Sequence, residues 1–402
     1  MKSLDKYIVG STIFSLFSES FAFHFGVYWK LFYLIIGVNL GIILITKKLK
    51  VHTNLLFVLA FMLVHGIIMY IWNSNPISSL IAQVLGIGFS SFYFYNFVNI
   101  YGVKDVFKKY LDFAFYISIL AIPMFYLGIN SFNPERLNGI LVEPAHYAAI
   151  MLPAAYVLLK QKDWWRAGVI ILTILLSKST IGFFGLVLIF VLPLIQVKYF
   201  VRYSKYIISV GLLLLMVLTF AWNSKSSYNR ENHVVRRLKQ TSESFDAITT
   251  GEFKPQVNLS SYALLSNSFV TYNSIKSRPF GVGMGGYQYQ YEKFFPLITL
   301  PDNLKYSNQK KINKFDANSL FLRSLVDLGV FSLIFFFFVV YKGFLAFRNR
   351  ENFISQGVLV YLIVKIIREG HYFPPEFYFF LMIFFIKFEE SEVLPSIIIL
   401  KE

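Results

Sequence analysis

The stretch NLLFVLAFMLVHGIIMYIW, residues 54–72, decides the fold. It carries no Asp, Glu, Lys or Arg, and wound as a helix it spans about 28 Å, close to the ~30 Å hydrocarbon core of a bilayer. Comparable runs recur at residues 28–46, 78–101, 110–129, 144–159, 319–341 and 353–368. The whole chain of 402 residues is 56% hydrophobic and only 15% charged, whereas a soluble domain is charged at about a quarter of its positions. The runs are continuous rather than alternating, which argues against a membrane barrel. The sequence therefore predicts an all-α polytopic membrane protein with about twelve transmembrane helices.

The remaining spans are read at residues 7–23, 205–222 and 376–388. The long run 167–197 is split into two short helices by Ser177-Lys178-Ser179. The first run has no small-residue cleavage site after it, so it is expected to be retained. Basic links follow every second span, at residues 47–50, 104–109, 160–166, 198–205 and 342–350. By the positive-inside rule these links and both termini are cytoplasmic. They absorb most of the +16 net charge, which is thus a topology signal and not the footprint of a nucleic-acid partner. The absence of cysteine removes disulfides, thiol nucleophiles and Cys-based metal sites from consideration.

Three segments follow: spans one to nine over residues 1–222, a large polar loop over 223–318, and spans ten to twelve with a tail over 319–402. The loop is expected outside the membrane and carries Arg230, Arg236, Arg237, Lys239 and Arg278. Val234, Leu238, Thr241, Phe245 and Ile248 recur at helical spacing up to Gly251, and Ser260 or Ser261 caps a second helix that Pro279 stops. Such helices either lie on the membrane with cations toward phosphates or pack on the bundle. Gly281, Gly283 and Gly286 match G-x-G-x-x-G, but no strand precedes them, so they read as a tight turn and not a dinucleotide site.

Polar groups that topology does not explain gather on the outer face. RLNGILVEPAHY, residues 136–147, sets Glu143 at a helix start, on one helix face with His146 or Tyr147. Glu143 there is a base or hydrogen-bonding ligand for a sugar hydroxyl, or a plain helix cap. Ser177-Lys178-Ser179-Thr180 reads as a phosphate site or as a simple polar turn. Arg323 with Asp327, and Lys365 with Glu369, are i,i+4 pairs placed within spans, which leaves Arg368 free beside His371. ATP, nucleotide sugars and NAD are absent on that face, so a transferase working there needs a lipid-activated donor.

Taken in order, Arg136-x-x-Gly139-x-x-x-Glu143-Pro144, the 177–179 turn, RPFGVG at 278–283 and DANSLFLRSLVDLG at 316–329 resemble the O-antigen polymerase and ligase superfamily of bacterial membrane glycosyltransferases. The resemblance covers nearly the whole chain and implies a GT-C-like fold and metal-independent transfer between undecaprenyl-pyrophosphate-linked oligosaccharide repeat units, with no cofactor. By position it implies Arg136, Arg278 and Arg368 as phosphate ligands and Glu143 and Asp316 as catalytic carboxylates; His146, Arg230, Arg236, Asn318 and Arg323 are the further candidate substrate contacts. Membrane lipid, a chain-length regulator and a flippase are the implied partners, in the bacterial inner membrane with the loop in the periplasm. Ligases of this superfamily typically carry His-Asn before the span after the loop. This chain has Ala317-Asn318, which favours a polymerase over a ligase, with a lipid-linked oligosaccharide flippase as a more distant alternative.

Overall fold

The computed structural model describes residues 3–25, 27–73, 76–129, 135–195, 244–349, 351–374 and 376–386. The chain opens with α1 (Ser3–Ser15), then a small antiparallel hairpin of β1 (Ala22–Phe25) and β2 (Val27–Lys30), with Ala22 opposite Lys30. Eight helices of the main bundle follow in two groups. The first comprises α2 (Leu31–Thr46), α3 (Thr53–Asn73), α4 (Ile77–Tyr101) and α5 (Val103–Tyr126). The second comprises α6 (Pro144–Lys160), α7 (Trp164–Leu176) and α8 (Thr180–Val191), and, after the loop, α13, defined below. In the loop lie α9 (Leu259–Ser277) and α10 (Tyr287–Phe294). The chain continues through α11 (Leu320–Leu328), α12 (Phe331–Arg348), α13 (Phe353–Arg368) and α14 (Phe377–Ile386).

α6 is the axis of the bundle. From Tyr147 to Leu158 it is buried all round, as a helix must be when it is apolar on every face and sits inside other helices. It packs on α5, α7, α8 and most extensively on α13. Gly357 of α13 makes the last contact close, since a Cβ there would lie 3.1 Å from the Pro153 carbonyl. The Tyr156 hydroxyl donates to Gln356 Oε1 across the same seam at 2.6 Å.

The outer helices invert the usual distribution. α3, α4 and α12 are long and apolar enough to cross a membrane. On α3 only His65, Gly66 and Met69 are buried, while Phe57, Phe61, Val64, Ile68 and Ile71 face outward. α12 likewise exposes Ile334, Phe337, Val340 and Tyr341. Continuous apolar exteriors of this kind mark contact with lipid or protein. An all-α protein with an apolar outside and buried polar groups is compatible with integral membrane placement.

Four expectations are corrected. The run 7–23 is not one helix: α1 ends at Ser15, and the turn that follows carries Glu19 into the interior. Residues 22–25 and 27–30 form strands in a chain expected to be all helical. The basic link 104–109 is itself helical, because Gly102 (φ 80°) breaks the chain and α5 starts directly after it. The run 319–341 is broken at Gly329 (φ 61°), so Arg323 and Asp327 belong to the short α11 and not to a long apolar helix.

The described part of the loop, residues 244–318, has its own core. Tyr262, Leu265 and Phe269 of α9 pack with Tyr287 and Tyr291 of α10 and with Val326 of α11. Asn258 caps α9 through its side chain, where Ser260 or Ser261 was expected. Tyr272 of α9 points outward. Gly251 (φ 74°) ends the short helical turn Ala247–Thr250, residues 244–246 are non-helical turn, and Val234, Leu238 and Thr241 of the expected helix lie outside the described residues.

At Gly329 a Cβ would meet the Pro279 carbonyl oxygen at 2.2 Å, and Val330 N–H donates to that same oxygen at 2.9 Å. Gly329→Ala is expected to destabilise the protein by roughly 1–3 kcal/mol through left-handed strain plus displacement of the 279–281 segment. Thermal unfolding in detergent measures it, and an unchanged midpoint would contradict this packing.

Candidate functional site

Asp327 is fully buried and collects donors from two distant segments. Its carboxylate accepts from Gly285 N–H at 3.0 Å, Tyr287 N–H at 2.8 Å and the Tyr372 hydroxyl at 2.9 Å. The 278–286 turn reaches it by passing backbone against backbone, with Val282 and Gly283 donating to Val326 and Asp327 carbonyls. Gly281, Gly283 and Gly285 all have positive φ, whereas Gly286 is ordinary right-handed backbone. The i,i+4 pair with Arg323 is loose, at 3.8 Å. Arg323 instead donates to the Gly370 carbonyl at 3.0 Å, lies over the Tyr372 ring at 4.3 Å, and keeps a buried Nε without a hydrogen-bond partner.

The turn into α11 is strained and tied down. Ala317 and Asn318 both have left-handed backbone, at φ 60° and 58°, which is uncommon for non-glycine residues and gathers at functional sites. Asp316 holds the turn by accepting from Asn318 N–H at 3.0 Å and Asn313 Nδ2 at 2.9 Å. Its other oxygen meets His371 Nε2 at 3.1 Å. Gly370 makes that pairing possible, since a Cβ there would fall 1.6 Å from the Asp316 carbonyl oxygen. Burial alone would raise the Asp316 carboxyl. The His371 hydrogen bond and charge, with the Asn318 and Asn313 donors, outweigh it and hold the group below its ordinary value.

A chain of ionic contacts runs inward from this turn. His371 N–H approaches Glu369 Oε1 at 3.3 Å, and Glu369 Oε2 lies 3.2 Å from both Lys365 Nζ and His146 Nε2. Lys365 continues to Glu376 at 2.7 Å, which also accepts from the Tyr361 hydroxyl at 3.0 Å. His146 Nδ1 faces both oxygens of Glu19 at 2.8 Å. With carboxylates on both sides, both imidazole nitrogens act as donors. His146 is thus occupied within the protein.

Arg368 stands apart from that pairing. It is half-buried at the end of α13 and feels the charges of Glu143, Glu369 and Asp316, yet among the described residues it makes no hydrogen bond or ion pair. Glu143 is exposed at the start of α6 and does not cap it. The structure therefore brings Glu143, His146, Asp316, Asn318, Arg323 and Arg368 around residues 369–371.

The other expected residues lie elsewhere. Arg136 Nε donates to the Ser177 carbonyl at 3.2 Å. At that turn the Ser177 hydroxyl bonds Ile174 O and Ser179 caps α8, so the hydroxyls serve the helix ends and not a phosphate. Arg278 is half-buried at the end of α9, where its carbonyl accepts from Gly281, and no ion pair joins it to the others among the described residues. Arg230 and Arg236 lie outside the described residues.

Beside Arg323 opens a cavity of about 170 Å³, lined by Gln83, Gln288, Phe315, His371 and Phe373. Sequence reading missed Gln83, Tyr372, Glu376 and Glu19 here. Glu19 had a signal, as the lone acidic residue in an otherwise apolar run; the others have none without the fold. No protein-family model matches the chain, and no curated protein matches it.

Two measurements probe this arrangement. Lys365→Met strands the Glu369 and Glu376 carboxylates in the interior and is expected to destabilise by roughly 3–5 kcal/mol, with partial recovery in the double variant with Glu376→Gln. A Met variant as stable as the native protein would refute the ionic chain. Asp316, held below the 3.8 of an ordinary aspartate, contributes stability that is complete above that value and lost as pH falls through its lowered one. The melting difference between native protein and Asp316→Asn is therefore expected to shrink as pH drops below about 4.

Proposed function

We propose that this protein is a membrane glycosyltransferase of the polymerase type, acting at the outer face of the bacterial inner membrane. In this reading the bundle is GT-C-like, with about twelve spans, cytoplasmic termini and a periplasmic loop. The observation that carries it is Arg368: a half-buried guanidinium without an ion partner among the described residues, set beside the Asp316–His371 pair. A cation held among carboxylates and left unpaired suits an anion that arrives with the substrate.

In the reaction, a hydroxyl oxygen of the lipid-linked acceptor attacks the anomeric carbon of the donor glycan. A new glycosidic C–O bond forms, and the bond from that carbon to the pyrophosphate oxygen breaks. Polyprenyl pyrophosphate leaves with the electron pair, and Arg368 meets the charge that develops on it. Asp316 accepts from His371 Nε2, which leaves Nδ1 of the imidazole to take the hydroxyl proton. Glu143, exposed at the start of α6, is the further carboxylate for an acceptor contact. The product is an O-antigen, capsule or exopolysaccharide chain, with a flippase supplying repeat units and a chain-length regulator as partner.

One observation favours a second reading, a ligase. His371 lies against Asp316, next to the place where ligases of the resembled superfamily carry their histidine. A gel of surface polysaccharide separates the two. In a strain lacking the protein, a single-repeat band on the lipid core means lost polymerisation, and a bare core with accumulated lipid-linked polymer means lost ligation. Complementation with Arg368→Ala is expected to restore less than about a hundredth of the native transfer rate. A full ladder from that variant would sink the assignment.

A further inference from the structure

The cavity beside Arg323 lies between the start of α4, the 285–288 turn and residues 371–373. Its volume is about 170 Å³, well above the ~10–15 Å³ that one water needs on the same measure, and gives room for one sugar ring.

Two residues of its wall each carry a buried polar atom without a hydrogen-bond partner: Nε of Arg323, a donor, and Oε1 of Gln83, an acceptor. Arg323 is only 5% exposed. Its nominal counter-ion, Asp327, already accepts from two backbone amides and a tyrosine at 2.8–3.0 Å, while the guanidinium stands 3.8 Å away. A buried cation whose counter-ion stands 3.8 Å away and already holds three donors can take a further anion. The orphan amide oxygen calls for a donor in the same ligand. A carboxylate and a hydroxyl on one small ring meet both demands. Phe315 and Phe373 supply apolar walls for the C–H faces of such a ring.

We infer that this cavity seats the terminal sugar of the acceptor glycan, and that this sugar is a uronic acid with its carboxylate on Arg323 and a hydroxyl on Gln83. The inference rests on the glycosyl-transfer reading above and sharpens it, since the polysaccharide made is then acidic. His371 lines the same cavity, so the seated sugar lies beside the imidazole. Arg323 thus serves the acceptor while Arg368 serves the departing pyrophosphate.

The test uses full-length protein in detergent micelles and saturation-transfer NMR. The probes are methyl glycosides of glucuronic, galacturonic and mannuronic acids, each against its neutral hexoside, with inorganic phosphate as competitor. At least one uronoside is expected to bind about tenfold more tightly than its neutral counterpart. Phe315→Ala and Gln83→Leu are expected to weaken it about fivefold with unchanged melting, and Arg323→Gln to abolish the acid preference. Should Arg323→Gln fail to fold, the first two variants and the acid-to-neutral ratio of the native protein decide. Equal binding of acid and neutral sugars overturns the inference. So does displacement by phosphate at equal concentration, which marks a general anion seat, and so do Phe315 and Gln83 variants that bind as the native protein does. If the uronoside preference holds while Arg368→Ala still makes a full ladder, transfer at Arg368 is wrong and the sugar seat stands. If the ladder is lost and no preference appears, the seat alone fails.

Discussion

Everything on the polar side of this protein depends on one buried carboxylate. Asp327 draws the Gly285 and Tyr287 amides and the Tyr372 hydroxyl onto a single point. Those donors come from the glycine turn of the loop and from the segment after α13, so the bond set fastens the loop's own core to the bundle. An ionised group in that position is stable only because its lone pairs are taken up by fixed donors. Satisfying Asp327 in this way has an electrostatic by-product. Arg323, four residues earlier on the same helix, is left without a tight counter-ion and turns toward Gly370 and the cavity.

A second constraint works through backbone contact. Gly370 touches the Asp316 carbonyl, and Ser319 donates to Ile366 O at 3.1 Å, so the turn entering α11 is pressed against the end of α13. The left-handed Ala317 and Asn318 are the local result. Strain of this type persists only where surrounding bonds over-determine the conformation, and here Asp316 provides three of them. The outcome is a rigid platform carrying a carboxylate, an imidazole and two guanidinia.

How much of this the sequence discloses depends on range. α3, α4, α6 and α13 follow from apolar run length and from Pro144 at a helix start, because the determinants lie within the element. The break at Ser177–Ser179 follows from its hydroxyls. The break at Gly329 does not: glycine is tolerated in apolar helices, and what forces the chain there is Pro279, fifty residues earlier. Arg368, Asp316 and Glu143 stand out in the sequence as polar residues beside apolar runs, and the structure brings their charges together. The opposite holds for His146, whose role is set by Glu19, a residue 127 positions away. Spacing showed that Arg323 and Asp327 share a helix face; only the packed turn reveals that they are poorly paired.

The break at Gly329 also bears on how such a chain enters a bilayer. Read as one run, residues 319–341 carry Arg323 and Asp327 into hydrocarbon at roughly 2.5–3.5 kcal/mol apiece on insertion scales. With α12 starting at Phe331, the helix that is long and apolar enough to cross a membrane has no ionised residue until Lys342. The nine-residue α11 stays with the folded loop. One glycine thereby separates what is partitioned by hydrophobicity from what is folded by hydrogen bonding, so the charged helix need never cross an oily phase.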